Sequence, residues 1–258
     1  MVRKVIVMGA TSGIGMEVAK CLAEQGWLVG IAGRRTERLE AIKQSQEGIV
    51  CYQQIDVTSP DAPERLLKLI EELGGMDLYF HCSGIGWQNN SLDMEKELKT
   101  IETNGMGFVR MVDTAFNWFV NCEHSVASVG KDSVVSCSSH PRIACITSIA
   151  GTKGLGAAPA YSSTKRFQSH YLECLSQQAH MRHLNISITD IRPGFVKTNL
   201  IAGSNYPLQL DAKVVAQSIV KAIEKGRSVK VIDWRYALFV FFWRLIPRWM
   251  WTKMMIAK

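Results

Sequence analysis

Short apolar runs alternate along the chain with amphipathic stretches of helical length. The runs "KVIVMG", "WLVGIAG", "IVCYQQID", "MDLYFHCSG", "RIACITS", "NISITDIRPG" and "SVKVID" are rich in β-branched and aromatic residues, and each closes on Gly, Asp or Ser. Between them, apolar positions recur at helical spacing over about 14–26, 36–45, 61–73, 93–120, 159–182 and 212–225. Ser91 or Asp93 is placed to cap the long fourth helix, and Asp211 to cap the helix before the last strand. Strand–helix alternation implies right-handed crossovers and a parallel sheet covered on both faces. The expected fold is a single doubly wound parallel α/β sheet of about seven strands, Rossmann-like, with helices on both faces. No internal repeat is visible.

Composition narrows the function classes. The 258 residues are 47% hydrophobic and 21% charged, ordinary for a chain that buries a large core. Seven scattered cysteines without CxxC spacing suggest neither a disulfide framework nor zinc, and fit a reducing cytoplasm. The opening "MVRKVIVMGATSGIG" has too short an apolar run for a secretory signal and reads as a first buried strand. The net charge is +7, but residues 221–258 hold nine Lys/Arg against two Asp/Glu, while the rest is balanced. An excess confined to one end argues against a nucleic-acid-binding face across the domain.

The first strand runs into "GATSGIG", with glycines at 9, 13 and 15 and a helix following. Such a loop lets a pyrophosphate approach backbone N–H groups at a helix N-terminus, although a tight turn alone can use the same spacing. After the second strand, where a carboxylate would favour NAD, stand Arg34 and Arg35. Guanidinium groups suit a 2′-phosphate, so NADP(H) is preferred over NAD(H); either arginine can also serve only the turn. Asp56, closing "YQQID", can hold an adenine amino group or cap the next helix.

Tyr161 and Lys165 lie one helical turn apart, and Ser148 ends the strand "RIACITS", at the sheet edge where ligands collect. A phenol titrates near ~10. Beside an ammonium and a positive nicotinamide it would shift down, three units needing about 4 kcal/mol. The tyrosine can then exchange a proton with a substrate oxygen that Ser148 orients. Each of the three alone has an ordinary structural explanation; their conjunction is what suggests a site.

"GATSGIG", "DV" at 56–57, "NGMG" at 104–107, "ITSIAG" around Ser148, "YSSTK" at 161–165 and "RPGFVKT" at 192–198 together resemble the short-chain dehydrogenase/reductase family over nearly the full length. The resemblance implies a catalytic tetrad of Asn104, Ser148, Tyr161 and Lys165, with Lys165 also gripping the nicotinamide ribose and Asn104 holding a water in a proton relay. It implies a cofactor lined by Gly9, Thr11, Ser12, Gly13, Ile14, Gly15, Asp56, Val57 and Gly84, with Pro193, Gly194 and Thr198 at the nicotinamide, and no metal. It also implies a homodimer or homotetramer. Three departures stand out: "HCSG" at 81–84 replaces the family's Asn-Asn-Ala-Gly, Met8 replaces a threonine, and 121–140 is long, read as a polar surface insertion. His81, closing a central strand, is expected to be a packed structural residue rather than a base.

Residues 1–233 are expected to form the catalytic domain and 234–258 a basic aromatic extension. The extension holds four of the seven tryptophans and five cations, with at most seven apolar residues in a row, Ala237 to Trp243. It cannot span a bilayer. A peripheral membrane contact, a cover over the cleft and a subunit interface all suit it. The expected activity is NADPH-dependent reduction of a lipophilic ketone, such as a 3-oxo lipid or a steroid-like compound, by a cytoplasmic enzyme with or without membrane association. The alternative is a non-catalytic NADP(H)-binding regulator or membrane scaffold.

Overall fold

A computed structural model describes residues 2–128, 136–198, 206 and 208–254 of the chain. All seven expected runs form strands: β1 (Lys4–Met8), β2 (Leu28–Gly33), β3 (Ile49–Gln54), β4 (Gly75–His81), β5 (Ser136–Ile146), β6 (Ser187–Pro193) and β7 (Val229–Ile232). They make one sheet in the order β3-β2-β1-β4-β5-β6-β7, every pair parallel. The order reverses beside β1, which pairs with both β2 and β4, and this opens a crevice at the carboxyl ends of β1 and β4. Met8 is level with His81, so the loops leaving those two strands start side by side.

The strands read as continuous apolar runs because both faces are buried. Val5, Val7, Ile31, Leu78 and Phe80 point into one core with α1 (Gly13–Glu24) and α7 (Ala212–Glu224). Ile6, Met8, Ala32, Tyr79 and Cys145 point into the other, with α3 (Ala62–Glu72) and α5 (Phe108–Ser128). Met8 therefore fills core volume where a threonine would offer a hydroxyl. Helix α2 (Thr36–Ser45) follows β2, and α6 (Pro159–Met181) precedes β6.

The helix expected over 93–120 is broken. Asp93 caps α4 (Met94–Ile101) by accepting from Glu95 N and Lys96 N at 3.1 and 3.4 Å. A π-helical turn, Glu102–Gly107, then intervenes before α5. Gly107 is pressed on Val57, whose Cγ2 would lie 2.8 Å from a β-carbon there, so helix and sheet close up at this point. The stretch 121–140 is not a single polar insertion: 121–128 prolong α5 and 136–140 begin β5, while 129–135 lie outside the described residues.

After β7 the chain forms α8 (Trp234–Leu245) and α9 (Arg248–Trp251). Tyr236, Val240 and Trp243, spaced at i, i+4 and i+7, bury one stripe of α8. The Tyr236 ring covers Gly194, where a β-carbon would fall 2.3 Å from the ring. Trp243 Nε1 donates to Thr152 Oγ1 at 2.7 Å, Trp251 Nε1 to the Gly154 carbonyl at 2.7 Å, and Lys153 Nζ to the Ile246 carbonyl. Among the described residues no helix is long and apolar enough to cross a membrane.

Candidate active site

The glycine loop is tightly determined. Gly9 has φ +89°, and a β-carbon there would meet Ser83 N at 2.7 Å; one on Gly15 would meet the Gly9 carbonyl at 2.3 Å. Ser12 begins α1 without a side-chain cap, and no acid stands in that helix's first turn, so its N–H groups and dipole remain for an anion. Ile14, in that first turn, packs on the core cluster. The Thr198 methyl faces Gly13, 3.0 Å from where a β-carbon would sit, drawing the loop after β6 over the first loop.

Arg35 donates to Thr11 Oγ1 at 2.6 and 3.2 Å and to Ser12 Oγ at 2.9 Å. Burial, Arg38 and then Arg34 all lower its affinity for a proton, the sign of three guanidinium groups clustered at the end of β2. Asp56 Oδ1 accepts from Thr58 N at 3.0 Å and Thr58 Oγ1 at 2.8 Å, so this carboxylate makes the turn into α3. Glycines at close-approach positions and an uncapped helix with a cationic patch nearby form a cradle suited to a dinucleotide.

The reactive cluster lies where β4, β5, the π turn and α6 meet. Ser148 follows β5, accepts from Ala150 N at 3.1 Å, and hydrogen-bonds the Tyr161 phenol. Ser162 Oγ donates to the Ala150 carbonyl at 2.8 Å and accepts from Leu155 N at 3.1 Å, which fastens the serine turn to α6. Lys165 Nζ stands 5.8 Å from the centroid of the Tyr161 ring and donates to the Ile146 carbonyl and Gln168 Oε1, each at 3.0 Å. Asn104 clamps the loop after β4: its Oδ1 accepts from Ile85 N at 2.9 Å and its Nδ2 donates to the Ile85 carbonyl at 2.7 Å. Gly84 lies beneath both, since a β-carbon would be 3.3 Å from Asn104 Oδ1 and 3.5 Å from Lys165 Nζ.

Burial pushes the Lys165 ammonium down to about 8, partly opposed by Cys82, Cys145 and Asp190. Burial likewise pushes the Tyr161 phenol up, against the Ser148 hydrogen bond. Without the cofactor, the chain's own groups thus hold the phenol above its ordinary value; the lowering expected beside an ammonium and a positive nicotinamide concerns the site with its cofactor bound. A neutral phenol holds the proton that a ketone oxygen requires.

His81 is fully buried, with Nδ1 3.0 Å from Tyr79 OH and its ring edge-on to Phe108 at 5.2 Å. Burial holds it neutral, down to about 3. It packs as a structural residue.

Several residues of this site were not evident from sequence. Gly86 packs under Tyr161, whose Cδ2 would be 2.2 Å from a β-carbon there; the second glycine of "GIG" was the available signal. Glu97 reaches from α4 to accept from Ala160 N, at the start of α6, at 2.9 Å and from Asn89 Nδ2 at 2.7 Å. Gln168, one turn beyond Lys165, donates to the Asn104 carbonyl at 2.9 Å. Arg38 stands in the first turn of α2, four positions after Arg34.

The short chain dehydrogenase family model matches residues 3–207. An uncharacterised oxidoreductase of Myxococcus xanthus is 29% identical over 253 residues, covering 95% of this chain and 93% of that one. An alcohol dehydrogenase of Thermococcus sibiricus, solved with 5-hydroxy-NADP, superposes with a TM-score of 0.73 at 20% identity, covering 90% of this chain and 96% of its own. A variant of the actinorhodin polyketide ketoreductase, solved with NADPH, also reaches 0.73 at 21% identity, over 90% and 95%. Fold and site define an NAD(P)-dependent oxidoreductase. The chain belongs to the short-chain dehydrogenase family.

Proposed function

We propose that the protein is an NADPH-dependent carbonyl reductase acting on a lipophilic ketone. The observation that carries the reading is the convergence of Ser148, Tyr161 and Lys165 beside the Gly84 and Gly9 loops. Gly9, Thr11, Ser12, Gly13, Ile14 and Gly15 would hold the pyrophosphate, and Arg34 and Arg35, joined by Arg38, a 2′-phosphate. Asp56, Val57 and Gly84 would border the adenosine and ribose, and Pro193, Gly194 and Thr198 the nicotinamide. Bound there, the reduced cofactor supplies hydride. Ser148 orients the ketone oxygen, Tyr161 gives it the phenolic proton, and Lys165 stabilises the phenolate left behind. The apolar and aromatic content of 195–210 and of the tail favours a substrate of low polarity.

Turnover of NADPH and NADH over a panel of 3-oxo lipids and steroid-like ketones tests the reading. Tyr161→Phe is expected to lower the rate roughly a hundredfold to ten-thousandfold while NADPH still binds. A variant retaining full activity would remove Tyr161 as the acid, whereas NADPH binding by the wild type with no turnover on any ketone would instead support a non-catalytic regulator.

The unit up to residue 233 carries the chemistry, and 234–254 is an accessory segment resting on an anionic bilayer surface, as a cytoplasmic protein with peripheral attachment. Opposite the buried stripe, α8 exposes Trp234, Leu238, Phe241, Phe242 and Leu245, and α9 exposes Trp249. Residues 234–254 contain Arg235, Arg244, Arg248 and Lys253 and no carboxylate; among the described residues only Arg235 of these is ion-paired, with Asp233 at 3.1 Å. A two-fold contact between copies would face these cations with one another, whereas lipid phosphates complement them. Association into dimers or tetramers would then use other surfaces.

A further inference from the structure

Gln168 is wholly buried, at 0% exposure, and bridges two groups of the candidate site. Its Oε1 accepts from Lys165 Nζ at 3.0 Å and its Nε2 donates to the Asn104 main-chain carbonyl at 2.9 Å. The amide can have only this orientation, since the ammonium is solely a donor and the carbonyl solely an acceptor. The carbonyl is available because Asn104 lies in the π turn Glu102–Gly107, where the widened winding diverts main-chain acceptors from the regular helical pattern. Asn104 spends its side chain on Ile85 and, at 3.2 Å, on Thr164 Oγ1. One chain of hydrogen bonds therefore runs from Lys165 through Gln168 and Asn104 to the loop that carries Gly84 and Gly86.

We propose that Gln168 is a positioning residue of the active site, a fixed amide bridge standing where the family resemblance implies a relay water at Asn104. Two of the three N–H groups of Lys165 are committed, one to Ile146 and one to Gln168, which under this proposal leaves the third for the cleft. A water in that place could accept one proton and release another; a carboxamide between an ammonium and a carbonyl cannot without changing tautomer. The bridge orients the lysine and closes it off from the interior, so that protons reach Lys165 from the cleft side. The assignment to a reaction rests on the reductase reading, but the bridge is a property of the protein alone.

Its test is the titration of Lys165, followed by NMR of protein labelled at lysine Cε and assigned with Lys165→Met. The groups facing this ammonium are His81 and Cys82 from the end of β4, Cys145 from β5, Asp190 from β6 and Tyr161 from α6. Gln168→Leu removes an acceptor from the ammonium and is expected to lower the titration by about one unit. Loss of the oriented N–H should weaken NADPH binding roughly tenfold. Gln168→Glu places a carboxylate at the same distance and is expected to shift the titration upward. Opposite shifts identify the bridge, whereas a merely structural amide would lower the melting temperature in both variants and leave the titration where it is, overturning the proposal. If Gln168→Leu does not fold, the upward shift in Gln168→Glu decides alone. Failure of the wild type to bind NADPH would count against the reductase reading and leave the titration test intact.

Discussion

At the scale of single residues, what matters most in this site is absence of side chain. Gly86 leaves the space that the Tyr161 ring fills, and a methyl group there would stand 2.2 Å from Cδ2. Gly86→Ala should displace the phenol from Ser148 by about an ångström and lower turnover on the order of a hundredfold, with an unchanged far-ultraviolet circular dichroism spectrum. Turnover equal to wild type would show that the ring can shift without loss. Tyr161, Lys165 and Ser148 were legible in sequence because their chemistry demands particular residue types at particular spacings. Gly86, Glu97 and Gln168 were not, since each acts on a partner brought near only by the fold; Glu97 meets Ala160 across 63 positions. Asp56 shows the opposite case, for its ordinary role in a turn was as visible as its chemical one, and Oδ1 fills that ordinary role with Thr58.

At the scale of elements, periodicity reads packing against the chain's own core better than it reads interruptions. The seven apolar runs all became strands, whereas 93–120 looked like one helix because a π turn preserves amphipathic spacing on either side of it. Helix α8 shows a different ambiguity: it is apolar on nearly all sides, and sequence cannot say which side is covered. Tyr236, Val240 and Trp243 are, while Trp234, Phe241 and Leu245 stay 71%, 59% and 66% exposed. If the exposed side rests on lipid, the full-length protein should sediment with vesicles of phosphatidylcholine and phosphatidylserine more than with phosphatidylcholine alone. Phe241→Asp with Leu245→Asp should reduce that binding roughly tenfold or more at unchanged melting temperature. Arg244→Glu with Arg248→Glu should abolish the preference for anionic vesicles. No vesicle binding, with the aspartate substitutions instead converting a dimer to a monomer in light scattering, would assign the face to a second copy.

For the whole molecule, the buried histidine sets the response to acid. His81 titrates at about 3 when folded against 6.5 ordinarily, so between these values the unfolded chain takes up a proton that the folded one refuses. Stability must therefore fall as pH drops through that window, by roughly 3 kcal/mol near pH 4. Asp61, Asp93 and Asp233, whose carboxyls are held below their ordinary 3.8, lose their contribution only at lower pH, while Asp113, raised by burial, takes up its proton within the window and opposes the decline there. Urea titrations at a series of pH values should show the decline in the wild type and a flatter limb in His81→Asn; equal slopes would mean that His81 is protonated in the folded state.

The indole of Trp243 on the Thr152 hydroxyl and that of Trp251 on the Gly154 carbonyl join the last helices to the turn just behind Ser148. Synthesis runs from the amino end, so sheet and glycine cradle can assemble while this buttress is still unmade. A chain stopped after β7 would keep Ser148, Tyr161 and Lys165 yet leave the turn behind the serine without its outer support, so the carboxyl-terminal helices finish the wall of this site.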